Sequence, residues 1–178
     1  MATGIRARLG RGNAFAVTAK WLYNYRQVAT AEDVAMTTVT VEGLLGGAGV
    51  FKNRPRSSLD WVTVIRRGLP AAALESLTGK LGLPQAELGT VLGIPERTLA
   101  RRKKEGTLSP DESAKLLRLA RVVRRAAEVF EDRDAALRWL RHPNRALAGE
   151  APLRLLDTEI GAESVMDLLG RIEHGVFS

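Results

Sequence analysis

The chain has 178 residues, 45% of them hydrophobic, with 27 Lys/Arg against 20 Asp/Glu, a formal net charge of +7 and no cysteine. That length and apolar content allow a buried core in one ordinary domain or two small ones. The absence of cysteine excludes disulfides and thiolate metal sites, and His142 and His174 are too few and too far apart for a metal motif. No apolar run reaches the length of a membrane span, and the N-terminus lacks the apolar segment of a secretory signal. The sequence thus predicts a cytoplasmic protein with no membrane contact and no cofactor.

The charge is unevenly spread. Residues 1–93 carry 11 Lys/Arg and 6 Asp/Glu, residues 94–125 carry 10 and 4, and residues 126–178 carry 6 and 10. A basic middle suits a polyanion and an acidic end some other partner, although a solvated helix face gives the same composition.

Residues 1–31 contain five Lys/Arg and no acid, with Trp21, Tyr23 and Tyr25 close together and no sustained period. They read as a loose arm, able to touch nucleic acid through its charge or to mimic an Arg-rich presequence, with a poorly ordered terminus as the simpler reading. Met36 looks like a more natural domain start, so the residues before it read as an extension or as the product of a misassigned start codon, and the extension is drawn over residues 1–37. Thr38 to Leu45 alternates briefly before a run of glycines, leaving strand, short helix and turn open. Ser57 and Ser58 offer an N-cap to a helix over Leu59–Arg67, with Leu59, Trp61, Val62 and Ile65 as its packing set and Gly68 as its stop. Pro70 begins a further helix, Ala71–Leu81, spaced by Leu74, Leu77 and Leu81.

The next stretch, Leu83 to Glu105, reads as a helix, a tight turn and a basic second helix. Pro84 opens the first helix, Ala86, Leu88, Val91 and Leu92 give it an apolar face, and Gly93 supplies the turn. Pro95 suits the start of the second helix, on which Arg97, Arg101 and Lys104 share one face with Leu99 opposite. That pattern is the build of a DNA reader. No large apolar residue follows Leu99, so Arg102 and Lys103 must lay their stems against the core.

Ser109, Pro110, Asp111 and Glu112 form a capping box that starts a long helix. Leu116, Leu119, Ala120, Val123, Ala126, Ala127 and Phe130 make its core stripe, with Lys115, Arg118, Arg121, Arg124 and Arg125 mostly outside. Asp132 caps a helix over Arg133–Leu140 that ends at His142-Pro143-Asn144, where His142 reads as a surface or capping residue. A loop follows with Leu147 and Leu153 tucked beneath it, then a short turn from Pro152. Asp157 or Thr158 caps the last helix, Ile160–Glu173, whose Val165, Leu168, Leu169 and Ile172 face inward and whose terminator is Gly175. No nucleophile–base pair or paired carboxylate stands in a recognisable setting, and Gly46-Gly47-Ala48-Gly49 lacks the lysine of a phosphate loop, so the chain reads as a non-enzyme.

Several ordered phrases resemble one family: Ile65-Arg66-Arg67-Gly68-Leu69-Pro70, Arg97-Thr98-Leu99-Ala100-Arg101-Arg102-Lys103, Ser109-Pro110-Asp111-Glu112-Ser113, Trp139-Leu140, Pro143-Asn144-Arg145-Ala146-Leu147, Leu155-Leu156-Asp157-Thr158, Gly161, and Leu168 to Val176. From about Leu44 onward the chain is similar to the Xre-type antitoxins of RES–Xre (Xre/MbcA/ParS-like) toxin–antitoxin systems. One departure is Ala148, which stands where that family often has a glycine.

The resemblance implies an all-α protein: a helix-turn-helix bundle over residues 38–125 and a small helical toxin-binding domain over residues 126–178. It further implies a RES-domain toxin partner that consumes NAD, blocked at its active-site cleft, and repression of the pair's own promoter. On that reading Arg97, Arg101 and Lys104 meet phosphates or base edges, and Gln85, Thr98 and Arg102 add contacts to the DNA backbone. A homodimer on a two-fold operator, within a hetero-oligomer with the toxin, is expected. Phe177 fills an apolar pocket of the toxin, Glu173 and the carboxylate of Ser178 meet cationic groups, and Arg171 fixes register, with Gly175 and Val176 between them. The alternative is a stand-alone helix-turn-helix regulator with a C-terminal dimerisation or ligand domain.

Overall fold

The computed structural model describes residues 39–175; the expectations for the N-terminal extension and for Val176, Phe177 and Ser178 lie outside the described residues. The described residues form helices and turns, with one isolated bridge between Pro70 and Thr107. The alternating stretch near the start resolves as a short helix, α1 (Val41–Leu44). Thr40 Oγ1 caps it, accepting the Gly43 N–H at 2.9 Å. Leu44, Leu45 and Phe51 are buried, and the Ser76 hydroxyl donates to Leu44 O at 3.1 Å.

Helix α2 (Ser58–Arg67) starts at a capping box in which Ser57 pairs with Asp60. Its packing face differs from the expected one. Leu59 is 77% exposed and Val62 39%, whereas Trp61, Val64 and Ile65 are half-buried. The edge-on contact of Trp61 with Phe51, at 5.7 Å between ring centroids, fixes the rotation of the helix and leaves Leu59 about 160° away from Trp61, on the solvent side.

Helix α3 (Ala71–Leu81) buries Leu74, Leu77 and Leu81. Helices α4 (Gln85–Leu92) and α5 (Glu96–Glu105) follow, with Pro84 and Pro95 in the N-cap positions, one residue earlier than expected. Ala86 is exposed, so the apolar face of α4 consists of Leu88, Val91 and Leu92. Between α2 and α3 the chain crosses the stretch that follows α5 closely. Leu108 N–H donates to Leu69 O at 2.8 Å and Ala71 N–H to Gly106 O at 2.9 Å. Gly68 sits at φ +87°, where a Cβ would lie 2.2 Å from Leu108 O.

The capping box at Ser109 opens α6 (Pro110–Phe130), 21 residues long. The expected stripe is buried, and so are Leu117, Val122 and Val129. A helix covered on one side hides one stripe; α6 hides more because it touches α1, α2 and α4 on the N-terminal side and the last two long helices beyond it. Asp132 accepts the Ala135 N–H at 2.6 Å and caps α7 (Arg133–Arg141), whose Trp139 packs on Phe130. Two 3-10 turns, Arg145–Leu147 and Pro152–Leu155, lead into α8 (Glu159–Glu173). Of the two candidate caps for α8 it is Thr158 that accepts the Gly161 N–H, at 3.1 Å.

Two positions in this region test the local geometry. A Cβ on Gly161 would sit 2.0 Å from Leu155 O, a backbone atom that cannot move without lifting the turn from α8. We therefore expect Gly161→Ala to destabilise the chain by about 1–3 kcal/mol in a denaturant titration. Ala148, the departure from the family pattern, adopts φ 56°. Since an L side chain is strained there, Ala148→Gly should stabilise by about 1 kcal/mol in the same assay.

Candidate nucleic-acid interface and C-terminal helix

The α4–α5 turn closes over a glycine. Ile94 N–H donates to Gly89 O at 2.8 Å and Gly93 takes φ +59°. A Cβ on the buried Gly89 would stand 2.9 Å from Ile94 O and 3.1 Å from Leu99 Cδ1, so a larger residue would push α5 off α4. Lys115 of α6 donates to Gly93 O at 3.3 Å and ends α4 with a cation.

On α5 the single buried side chain is Leu99. Arg97, Arg101 and Lys104 are exposed, with Arg101 3.6 Å from Glu105; the structure therefore brings these three candidates onto one outward face. Gln85 and Thr98 are half-buried near the starts of α4 and α5. Lys103 pairs with Glu75 of α3 at 3.3 Å.

Arg102, expected to add a contact to the DNA backbone, is paired within the chain. Its side chain is 21% exposed, and its guanidinium lies 2.7 Å from Glu105 and 2.7 Å from Glu112. Glu112 is buried, and the same oxygen accepts the Ser109 N–H at 2.7 Å. Burial by itself raises the Glu112 carboxyl, but the Ser109 N–H and the Arg102 guanidinium outweigh it and hold the group below the usual glutamate value. The hydrogen bonds to Glu105 and Glu112 hold the Arg102 guanidinium above its ordinary value.

The other candidate group lies at the end of α8. Val165, Leu168 and Leu169 are buried and Ile172 half-buried. Arg171 is exposed, and Gly175 takes φ 65° just past the helix. Glu173, expected to meet cationic groups of a partner, is paired within the chain. Arg125 of α6 grips both its oxygens, at 3.0 and 2.5 Å, and that hydrogen bonding lowers the Glu173 carboxyl from its ordinary value. At the other end of α8, Arg118 pairs with Glu159 at 2.5 Å. The helix is thus pinned to α6 at both ends. Sequence reasoning placed Arg118 and Arg125 outside the core stripe and missed these partners, which lie more than 40 residues away. Gly89 carried a readable signal, a glycine inside a predicted helix.

A family model of the antitoxin Xre-like helix-turn-helix domain matches residues 60–121, and one of the antitoxin Xre/MbcA/ParS C-terminal toxin-binding domain matches residues 125–175. An Antitoxin Xre of Yersinia enterocolitica is 39% identical over 119 residues, covering 66% of this chain and 80% of that protein. An Antitoxin Xre of Photorhabdus laumondii is 35% identical over 117 residues, or 65% and 79% of the two chains. A chain in the crystal structure of the M. tuberculosis MbcT-MbcA toxin-antitoxin complex is similar at 30% identity with a TM-score of 0.47, over 61% of this chain and 96% of that one. A helix-turn-helix joined to a toxin-binding domain defines an antitoxin. This chain belongs to the Xre/MbcA/ParS antitoxin family.

The pH dependence of folding follows from Glu112. A carboxyl held low in the folded state adds stability above its unfolded value, about pH 4.3, and loses it as the pH falls through the lower folded value. Glu112→Gln should therefore lower stability at neutral pH and flatten its decline between about pH 5 and pH 3, as followed by circular dichroism in denaturant at each pH.

Proposed function

We propose that the chain silences a RES-type, NAD-consuming toxin by covering its active-site cleft, and that its helix-turn-helix represses the operon of the pair. The observation that carries the first half is the toxin-binding match, which runs to Gly175 at the end of a helix pinned to α6 by Arg118–Glu159 and Arg125–Glu173. A segment that follows a fixed helix end loses less freedom on insertion than one that follows a loose end. On this reading Arg171 and Gly175 border the contact, Val176, Phe177 and Ser178 supply the inserted end with Phe177 as the apolar anchor, and Glu173 anchors α8.

The second half is supported by the outward face of α5. Arg97, Arg101 and Lys104 address phosphates and base edges, and Gln85 and Thr98 stand near helix starts, where they can reach the DNA backbone. One such module binds weakly, so a homodimer on a two-fold operator is part of the proposal. The boundaries proposed for the two halves are residues 38–125 and 126–178, after an extension over residues 1–37.

In cells producing the neighbouring toxin, a chain truncated after Gly175 should fail to protect while remaining folded; full protection by that truncation would rule out the tail. For DNA, Arg97→Ala combined with Arg101→Ala should weaken binding to the duplex upstream of the gene and reduce the slope of log K against log salt by about two. An unchanged affinity and slope would remove that face from the interface.

A further inference from the structure

Resting on the DNA-reading role just proposed, we propose that Arg102 is a positioning residue: it sets the pitch of the recognition helix α5 through Glu112 and makes no contact with DNA. The placement comes from the helix itself. Around α5, Arg102 lies about 60° from Leu99, the buried anchor, while Arg97, Arg101 and Lys104 lie about 140–160° from it. Arg102 is accordingly 21% exposed where Arg101 is 59% exposed.

Its two acceptors differ in consequence. Glu105 belongs to α5 itself, so that pair cannot orient the helix against anything else. Glu112 belongs to the first turn of α6, and its Oε2 receives both Arg102 Nε and the Ser109 N–H, each at 2.7 Å. In the same turn, the Ser113 hydroxyl donates to Ser109 O at 2.7 Å and accepts the Leu69 N–H at 2.8 Å. Arg102 therefore joins α5 to a rigid, buried set of backbone and side-chain bonds. Apart from that bond, the helix is held by Leu99, by the more exposed Lys103–Glu75 pair and by backbone bonds at its two ends, Ile94 N–H to Gly89 O and Ala71 N–H to Gly106 O. Those end bonds fix where the ten-residue helix begins and stops, while its rotation about its own axis rests on one fully buried side chain and on the side-chain bonds, and a small rotation displaces all three outward cations together.

The two roles for Arg102 predict opposite signs at Glu112. If Arg102 touched phosphate, Glu112 would be a nearby negative charge competing for it, and removing that charge would tighten DNA binding. If Arg102 positions the helix, losing either partner loosens the same joint.

The test compares Arg102→Met, which keeps the apolar stem, with Glu112→Gln and with the double variant. Binding is measured to the duplex upstream of the gene over a range of salt, at a temperature where circular dichroism shows each variant fully folded, so that lost stability alone does not alter the readout. We expect each single variant to weaken binding by about three- to tenfold and the double variant to be no weaker than the worse single one. The salt slope should stay at the wild-type value in all three, while Arg97→Ala lowers it by about one. A slope reduced by about one in Arg102→Met, with tighter binding by Glu112→Gln, would overturn the inference, as would wild-type affinity in both folded variants. Failure of the wild-type chain to bind the duplex would instead overturn the DNA-reading role, and this inference with it.

Discussion

The first turn of α6 is the joint on which the rest of the fold depends. Ser109 and Glu112 satisfy free N–H groups of a helix start, as any capping box does, yet Glu112 and Ser113 also reach away from α6. Glu112 holds α5 through Arg102, and Ser113 takes the Leu69 N–H from the α2–α3 turn, a buried donor that would otherwise lack a partner. Leaving such a group unsatisfied costs about 1–3 kcal/mol, so one helix start holds two other segments, α5 and the α2–α3 turn. Gly68 permits the arrangement, because only a residue without a Cβ can pass Leu108 O at that distance.

From that joint α6 runs beneath both halves of the molecule. Lys115 ends α4 of the helix-turn-helix, and Arg118 and Arg125 pin the two ends of α8. These cations all stand on one continuous helix, so the helix-turn-helix and the C-terminal helix are attached to the same element with no linker between them. The expected division after residue 125 falls inside this helix, and the two family matches adjoin there as well. The long apolar stripe of α6 serves both halves at once, which explains why it is wider than its period alone predicts.

Much of the fold was legible in the sequence because its signals are local. The cap at Ser109, the glycine at 93, the prolines before α3, α4 and α5, and the inward residues of α8 each act within a few positions. What escaped depends on distance. The rotation of α2 is set by Phe51 against Trp61, which no periodicity within the helix encodes, so Leu59 and Val62 were assigned to the core although they face solvent. Of the candidate site, the outward grouping of Arg97, Arg101 and Lys104 followed from helical spacing. The employment of Arg102 and Glu173 did not, since their partners Glu112 and Arg125 come from another helix.

Arg102 and Glu173 also show why charge alone is a poor guide to a binding surface. Helix α5 is so polar that it has little apolar area to hold it in place, with Leu99 its one buried side chain, so polar bonds take a larger share in orienting it. Some of its cations therefore pair within the fold, and the strongest of these pairs is Arg102 with the buried Glu112, where a charge-assisted hydrogen bond is stronger than one in open solvent. On the proposed reading, the cations that meet DNA are those not tied to another helix. In α5 the distinction runs along the helix circumference: Arg102 and Lys103, on the side of Leu99, are tied to Glu112 and Glu75, and Arg97, Arg101 and Lys104 face outward.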